Sequence, residues 1–262
     1  MLAAVKEGNV KKVAELIRRD PRFDVNMELD GTGYTLLHFA CVQGKRSPVI
    51  PLLLAHPDID VNVKDHDGCT PFYCACLYGY PSCVREMLKD SRVNVNETDY
   101  DGVTPLWVAA DNGNLEVIKW WIASGREMYL GEPGDVNSTD AIGVAKEEGN
   151  TEVVALLERF ESDAIQTRHA IRVELGLLDE LAAEMFALVV FVSDGLLQIK
   201  DTTTATPAAR YFSIATQLPL ELQMVLSFRQ AGSAKEIIQG KESEVAFKSL
   251  AESLLWPTLF TT

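Results

Sequence analysis

Five cysteines, four histidines and 38 acidic residues are the chain's raw material for chemistry. Cys69, Cys74, Cys76 and Cys83 lie close to His66, and thiolates with an imidazole are the ligands a tetrahedral zinc ion takes. Register argues against that use. Cys76 aligns with Cys41 and Ala110, and Cys74 aligns with Phe39 and Val108, so these thiols fill slots that apolar side chains fill elsewhere. Small buried hydrophobes are therefore expected, with no metal. The odd number of cysteines fits a reducing compartment. No histidine has a carboxylate or nucleophile at a catalytic spacing, and Gly31-Thr32-Gly33 reads as a hairpin tip, not a phosphate-cradling strand-to-helix turn. Acidic pairs such as Asp58/Asp60 and Glu147/Glu148 read as solvated faces. The expectation is a protein with no catalytic residues and no cofactor, hence not an enzyme.

What positions these side chains is a repeat. Asp65–Ala75 (DHDGCTPFYCA) recurs as Asp99–Ala109 (DYDGVTPLWVA) and as Asp30–Ala40 (DGTGYTLLHFA). Ala40, Ala75 and Ala109 are spaced by 75 − 40 = 35 and 109 − 75 = 34 residues, and Gly44, Gly79 and Gly113 keep the same steps. That period is one supersecondary unit stacked on itself. Leu2–Asn26 keeps only the later half, with Ala4 and Gly8 in register and Val10, Val13, Leu16 and Ile17 at helical spacing. Lys6, Lys11, Lys12, Glu15, Arg18 and Arg19 make it a polar end unit. Pro48 and Pro51 mark the start of the second unit's outer helix. After Gly125 about seven residues are inserted, near 126–133, and Asp140–Ala145 followed by Gly149, Val153, Val154, Leu156 and Leu157 is a degenerate fifth unit.

The stretch Gly68-Cys69-Thr70-Pro71-Phe72-Tyr73-Cys74-Ala75, then Gly79, Val84–Leu88 and Val95-Asn96, resembles the ankyrin repeat. The resemblance covers residues 1–160 and implies an all-α solenoid of helix–turn–helix units with short β-hairpin-like tips. His38 stands where the family's histidine ties the turn backbone. Tyr73 and Trp107 replace it in the next two units, which predicts a less rigid turn at Tyr73. Trp107, Trp120 and Trp121 are expected in the stacking core, although adjacent Trp120 and Trp121 cannot both face inward. One of them is expected on the insertion or on the C-terminal helices.

The family binds proteins through a concave groove and the hairpin tips. Carried over slot by slot, the resemblance implies partner contacts at the tip positions Tyr34, His66, Asp67, Cys69, Tyr100, Asp101 and Val103. On the inner helices it implies Val42, Gln43, Leu77, Tyr78, Asp111 and Asn112. Tyr34, Tyr78 and Tyr100 would form an aromatic strip beside Asp67, Asp101 and Asp111, and the acidic rim would suit a partner with basic residues.

Charge agrees with that expectation. The chain carries −14 overall; residues 1–163 hold 16 basic against 27 acidic side chains, −11, which leaves −3 for the rest. Such a surface repels phosphate backbones, so nucleic acid is not an expected partner. No apolar run reaches the ~18–20 residues of a membrane span, and a helix starting almost at Met1 predicts no signal peptide. A cytoplasmic monomer is expected.

Beyond a polar seam at Glu161–Gln166, a second region at 164–262 reads as a C-terminal α-helical bundle. Ile171, Leu175, Leu178, Ala182, Met185, Val189 and Val192 keep a helical step, which favours helix over a strand at Leu188–Val192. Leu218-Pro219-Leu220-Glu221-Leu222 followed by Val225-Leu226-Ser227-Phe228 is similar to the opening of an F-box, though Arg229 departs from it and Gly232-Ser233 interrupts the next helix. That similarity implies an alternative function, a ubiquitin-ligase substrate adaptor. The plain reading is a helix start.

Overall fold

The computed structural model describes residues 1–20, 23–29, 31–131, 139–178, 182, 186–190, 223 and 227. It divides into two compact units, Met1–Ile171 and Arg172–Thr262.

The first unit is an all-α solenoid, with no strand among the described residues. Its inner helices are α1 (Leu2–Lys6), α3 (Leu36–Cys41), α5 (Pro71–Leu77), α7 (Pro105–Asp111) and α9 (Ala141–Glu147). Its outer helices are α2 (Val10–Arg19), α4 (Ile50–Leu54), α6 (Pro81–Leu88), α8 (Leu115–Ser124) and α10 (Thr151–Ser162); α11 (Ala164–Glu174) follows and ends three residues past the division between the units. Each inner helix packs on the next in chain order. Helices this short are marginal alone in water, so stacking is what holds them. The buried layer between the rows includes Val5, Leu37, Ala40, Leu53, Phe72, Ala75, Met87, Leu106, Ile118, Trp121 and Leu157.

Local chemistry starts α5, α7 and α9. Thr70 Oγ1 accepts the Tyr73 N–H at 3.1 Å, Thr104 Oγ1 that of Trp107 at 3.1 Å, and Asp140 Oδ1 that of Gly143 at 2.6 Å. Each bond satisfies one of the amides a helix start leaves orphaned. Pro71 and Pro105 follow at the first helical position, where a missing N–H costs nothing.

The turn between inner and outer helices depends on glycine. Gly79 and Gly113 have φ of +67° and +65°. A Cβ on either would collide with the side-chain oxygen of Asn114 or Asn150, one unit further on. Those asparagines donate across the junction, Asn114 to the Cys76 and Leu77 carbonyls and Asn150 to those of Ala110 and Asp111. Gly44 keeps the sequence register but not this geometry. It opens a 3₁₀ turn, Gly44–Val49, that contains Pro48, and α4 then starts with Pro51 in its first turn. Two prolines three residues apart leave too few N–H donors for one long outer helix, so the second unit's outer helix is shortened.

At the far ends of the outer helices, Arg92 donates to the Leu54 carbonyl, Arg126 to that of Leu88, and Arg168 to that of Ile122. The acceptors are 34 residues apart, so one side-chain type closes three successive orphaned helix ends. Arg168 comes from α11, which brings that helix onto the fourth unit. The expected polar seam is a one-residue break at Asp163, whose carboxylate accepts the Gln166 N–H at 2.9 Å.

In the second unit residues 186–190 are helical, with Phe186, Ala187 and Val189 buried, so Leu188–Val190 is helix and not strand. Gln223 and Ser227 are helical and buried, Ser227 Oγ donating to the Gln223 carbonyl at 2.9 Å. The rest of the F-box-like stretch, Val136-Asn137 (the next Val-Asn pair after Val95-Asn96) and most of the expected C-terminal bundle lie outside the described residues.

Candidate interaction surface at the tips and inner helices

The tips of the third and fourth units are each built on one aspartate. Asp65 Oδ1 accepts the Asp67 and Cys69 N–H groups at 2.9 and 2.8 Å, and Asp99 Oδ1 accepts those of Asp101 and Val103 at 3.0 and 2.8 Å. Neighbouring tips are linked through the backbone, His66 N–H to the Thr32 carbonyl at 3.0 Å and Tyr100 N–H to the Asp67 carbonyl at 3.2 Å. The tips are therefore tied in a row.

A second tie runs from α3, α5 and α7 to the start of the following unit. His38 Nε2 lies 3.1 Å from the Cys69 carbonyl, Tyr73 donates its hydroxyl to Asp99 Oδ2 at 2.8 Å, and Trp107 Nε1 donates to the Thr139 carbonyl at 3.2 Å. The expected loosening at Tyr73 is thus corrected. The longer phenol reaches past the backbone acceptor to the free oxygen of the turn aspartate, and the junction keeps its bond.

These bonds also dispose of a metal. The side chains of His38, Asp65 and Cys74 converge, all buried, with ligand atoms within 4.8 Å of one another. However, His38 Nδ1 accepts the Thr35 N–H at 3.2 Å, so in the neutral ring Nε2 carries the proton and no lone pair remains for an ion. Burial pushes the Cys74 thiol up to about 12, which keeps it protonated. All five cysteines are free thiols. Burial likewise raises Cys41 and Cys76, and it raises half-buried Cys69, helped by the charges of Asp65, Asp99 and Asp67. None is poised as a nucleophile.

The sequence-derived positions separate into three kinds. His66, Asp67, Tyr78, Tyr100, Asp101 and Asn112 are exposed, with Tyr78 at 51% and Tyr100 at 69%. Tyr34, Val42, Gln43, Cys69, Leu77, Val103 and Asp111 are half-buried. Val42, Tyr78 and Asn112 occupy the C-cap of their inner helices, and α3 ends one residue earlier than its counterparts. Asn112 is held by its own helix through the Val108 carbonyl, and His66 sits 3.7 Å from Glu28.

The three tyrosines have different surroundings. Tyr34 stacks on His38 with centroids 5.1 Å apart and meets the Phe39 ring edge-on at 5.7 Å. Its hydroxyl receives the Cys74 thiol at 3.8 Å. Burial, the Cys74 thiol and a hydrogen bond with Tyr78 hold the Tyr34 phenol well above its usual range, so Tyr34 and Tyr78 adjoin. Tyr100 lies on the tip row, its ring against Gly68 and 5.5 Å from Lys64 Nζ. Lys64 was not a sequence-derived position. It has no counterpart in the neighbouring units, where Leu29 and Thr98 take its slot, so the period gives no signal for it.

The tryptophans divide as their adjacency requires. Trp121 is fully buried, edge-on to Phe72 at 5.1 Å, and its Nε1 reaches the Glu127 carbonyl of the insertion at 3.4 Å. Trp120 turns outward beneath Arg85, 4.7 Å from the ring centre.

The class follows from the repeats themselves: a family model of ankyrin repeats in three copies matches residues 50–130, a single-repeat model matches residues 32–63, and the first unit is an ankyrin-repeat solenoid. Among individual proteins, the chain is similar to human SMC5-SMC6 complex localization factor protein 1, 32% identical over 179 residues, 65% of this chain and 17% of that protein. The bovine protein of the same name is 36% identical over 98 residues, and mouse Rabankyrin-5 is 33% identical over 94, covering 9% and 8% of those proteins. The chain thus spans less than a fifth of the length of these relatives. No helix among the described residues is long and apolar enough to cross a membrane.

Proposed function

We propose that the solenoid is a non-catalytic module that binds a protein or peptide partner through its concave groove and tips. One contrast carries the reading. Within each tip the structural hydrogen bonds fall on Asp65 and Asp99, while Asp67, Tyr78, Tyr100 and Asp101 stand exposed on the frame those bonds hold. Exposed side chains on a rigid frame can be used for recognition. The acidic surface favours a partner with basic residues, chiefly by speeding encounter, and disfavours nucleic acid.

The proposal includes a cytoplasmic monomer with a repeat domain at 1–160 and a helical domain at 164–262. Similarity to a protein named for localising the SMC5-SMC6 complex makes a subunit of a large assembly a partner class to seek. The ligase-adaptor alternative rests on the Leu218–Phe228 similarity alone, and only recovery of a ligase scaffold with the full chain would favour it.

Co-purification with the full chain and mass identification of what elutes tests the proposal. The Tyr78→Ala/Tyr100→Ala variant should keep its helical circular dichroism and lose about tenfold or more in affinity for that partner, the loss expected for two exposed interface aromatics. Unchanged affinity in a folded variant removes the groove and tips as the binding surface.

A further inference from the structure

We infer that the third and fourth tips form a socket for an arginine side chain of the partner, a reading that rests on the binding module proposed above. Each of these tips carries two aspartates. Asp65 and Asp99 accept their turn amides, whereas the Asp67 and Asp101 carboxylates take no hydrogen bond or ion pair among the described residues. The Tyr100 N–H bonds the Asp67 carbonyl at 3.2 Å, so the backbones bearing the two free carboxylates are adjacent. Two like charges side by side repel each other until a cation lies between them.

The residue that joins these two backbones is aromatic, Tyr100 preceding Asp101 in the chain and bonding the Asp67 carbonyl. Tyr100 is 69% exposed and rests on Gly68, where a Cβ would come within 2.7 Å of the ring. Only a glycine allows the ring to come this close to the tip. The ring already accommodates a cation, since Lys64 Nζ sits 5.5 Å from its centroid while bonded to Glu97 at 2.9 Å and to the Thr98 carbonyl at 2.8 Å. Lys64 is thus committed to the segment that leads into the fourth repeat and takes no part in an ion pair with Asp67 or Asp101. A planar guanidinium suits this arrangement better than an ammonium. It stacks on an aromatic face and presents N–H donors at its edge to two carboxylates at once.

The test titrates the full-length ¹⁵N-labelled chain with the blocked peptide Ac-GSRGRSG-NH₂ and its lysine counterpart, at physiological salt. Amide shifts should concentrate at Gly68, Tyr100 and Asp101, with the arginine peptide binding more tightly than the lysine one. Asp67→Asn/Asp101→Asn should weaken the arginine peptide about fivefold or more and Tyr100→Ala about threefold, while Tyr100→Phe keeps the affinity. Shifts centred on the exposed α10 acids Glu152, Glu158 and Glu161, or equal binding by the Asp67→Asn/Asp101→Asn chain with intact circular dichroism, overturn the socket. A purified partner that binds this variant as tightly as wild type removes the socket and leaves the binding module standing. A chain that retains no partner at all removes the module itself.

Discussion

The second and third repeats hold every cysteine of the chain, and the fourth holds three of its four tryptophans. In register, Cys41 and Cys76 become Ala110, Cys74 becomes Val108, and the His38 slot becomes Tyr73 and then Trp107. The frame does not register these changes. Asn114 and Asn150 span their junctions in the same way, Arg92 and Arg126 close the same carbonyls one unit apart, and Asp65 and Asp99 fold the same turn. Periodic backbone bonding fixes the layer, and the middle of the layer accepts any side chain of suitable volume whose polar end still finds an acceptor. A thiol-lined pair of layers and an aromatic-lined one thus share a shape and differ in what breaks them.

The aromatic layer should fail by cavity. Trp121 is wholly buried against Phe72, so Trp121→Ala removes one of the largest buried side chains and should cost about 3–5 kcal/mol in urea unfolding. A loss under about 1 kcal/mol would mean that the insertion around Glu127 collapses into the space.

The thiol layers should fail by alkali. Burial holds Cys74 near 12 and Cys83 near 11 and lifts fully buried Cys41 and Cys76 well above the ordinary thiol range. A raised acid contributes stability that is complete below the unfolded thiol value of about 8.5 and is lost as pH rises toward the folded one. Between pH 7.5 and 9.5 the free energy of unfolding in urea should therefore fall. Cys41→Ala/Cys76→Ala should flatten that fall by about 1–3 kcal/mol, because Ala110 shows that alanine fits the slot. Parallel pH curves for the two chains would place alkaline weakness elsewhere.

How much of this was legible depends on whether a bond has a period. The 34- and 35-residue steps of Ala40, Ala75 and Ala109 gave the stack, and Cys74 and Cys76 read correctly as core once aligned with Val108 and Ala110. Gly44 misleads because its register is right while Pro48 and Pro51, a few residues later, decide the geometry. The arginine clamps were invisible as a set, since the insertion shifts Arg168 off the step that relates Arg92 to Arg126. Tyr73 was misread because the family's histidine suggests one acceptor, and a phenol of different length uses another. Among the candidate contact positions, spacing alone does not distinguish tied Asn112 from untied Asp101; that distinction is three-dimensional.

Tyr73 also provides the finest test of whether the shared slot works by bonding or by filling. Its ring is 4% exposed, and burial together with the Asp99 hydrogen bond holds the phenol well above its usual range. Tyr73→Phe keeps the ring and removes only the hydroxyl that meets Asp99 Oδ2 at 2.8 Å. Asp99 Oδ1 retains both turn amides, so the tip itself should persist. The expected cost is about 1 kcal/mol, the net worth of one hydrogen bond with a partly hydrated acceptor, with an unchanged urea m-value. A variant as stable as wild type would mean that volume alone holds this junction, and the likeness drawn between His38, Tyr73 and Trp107 would reduce to packing.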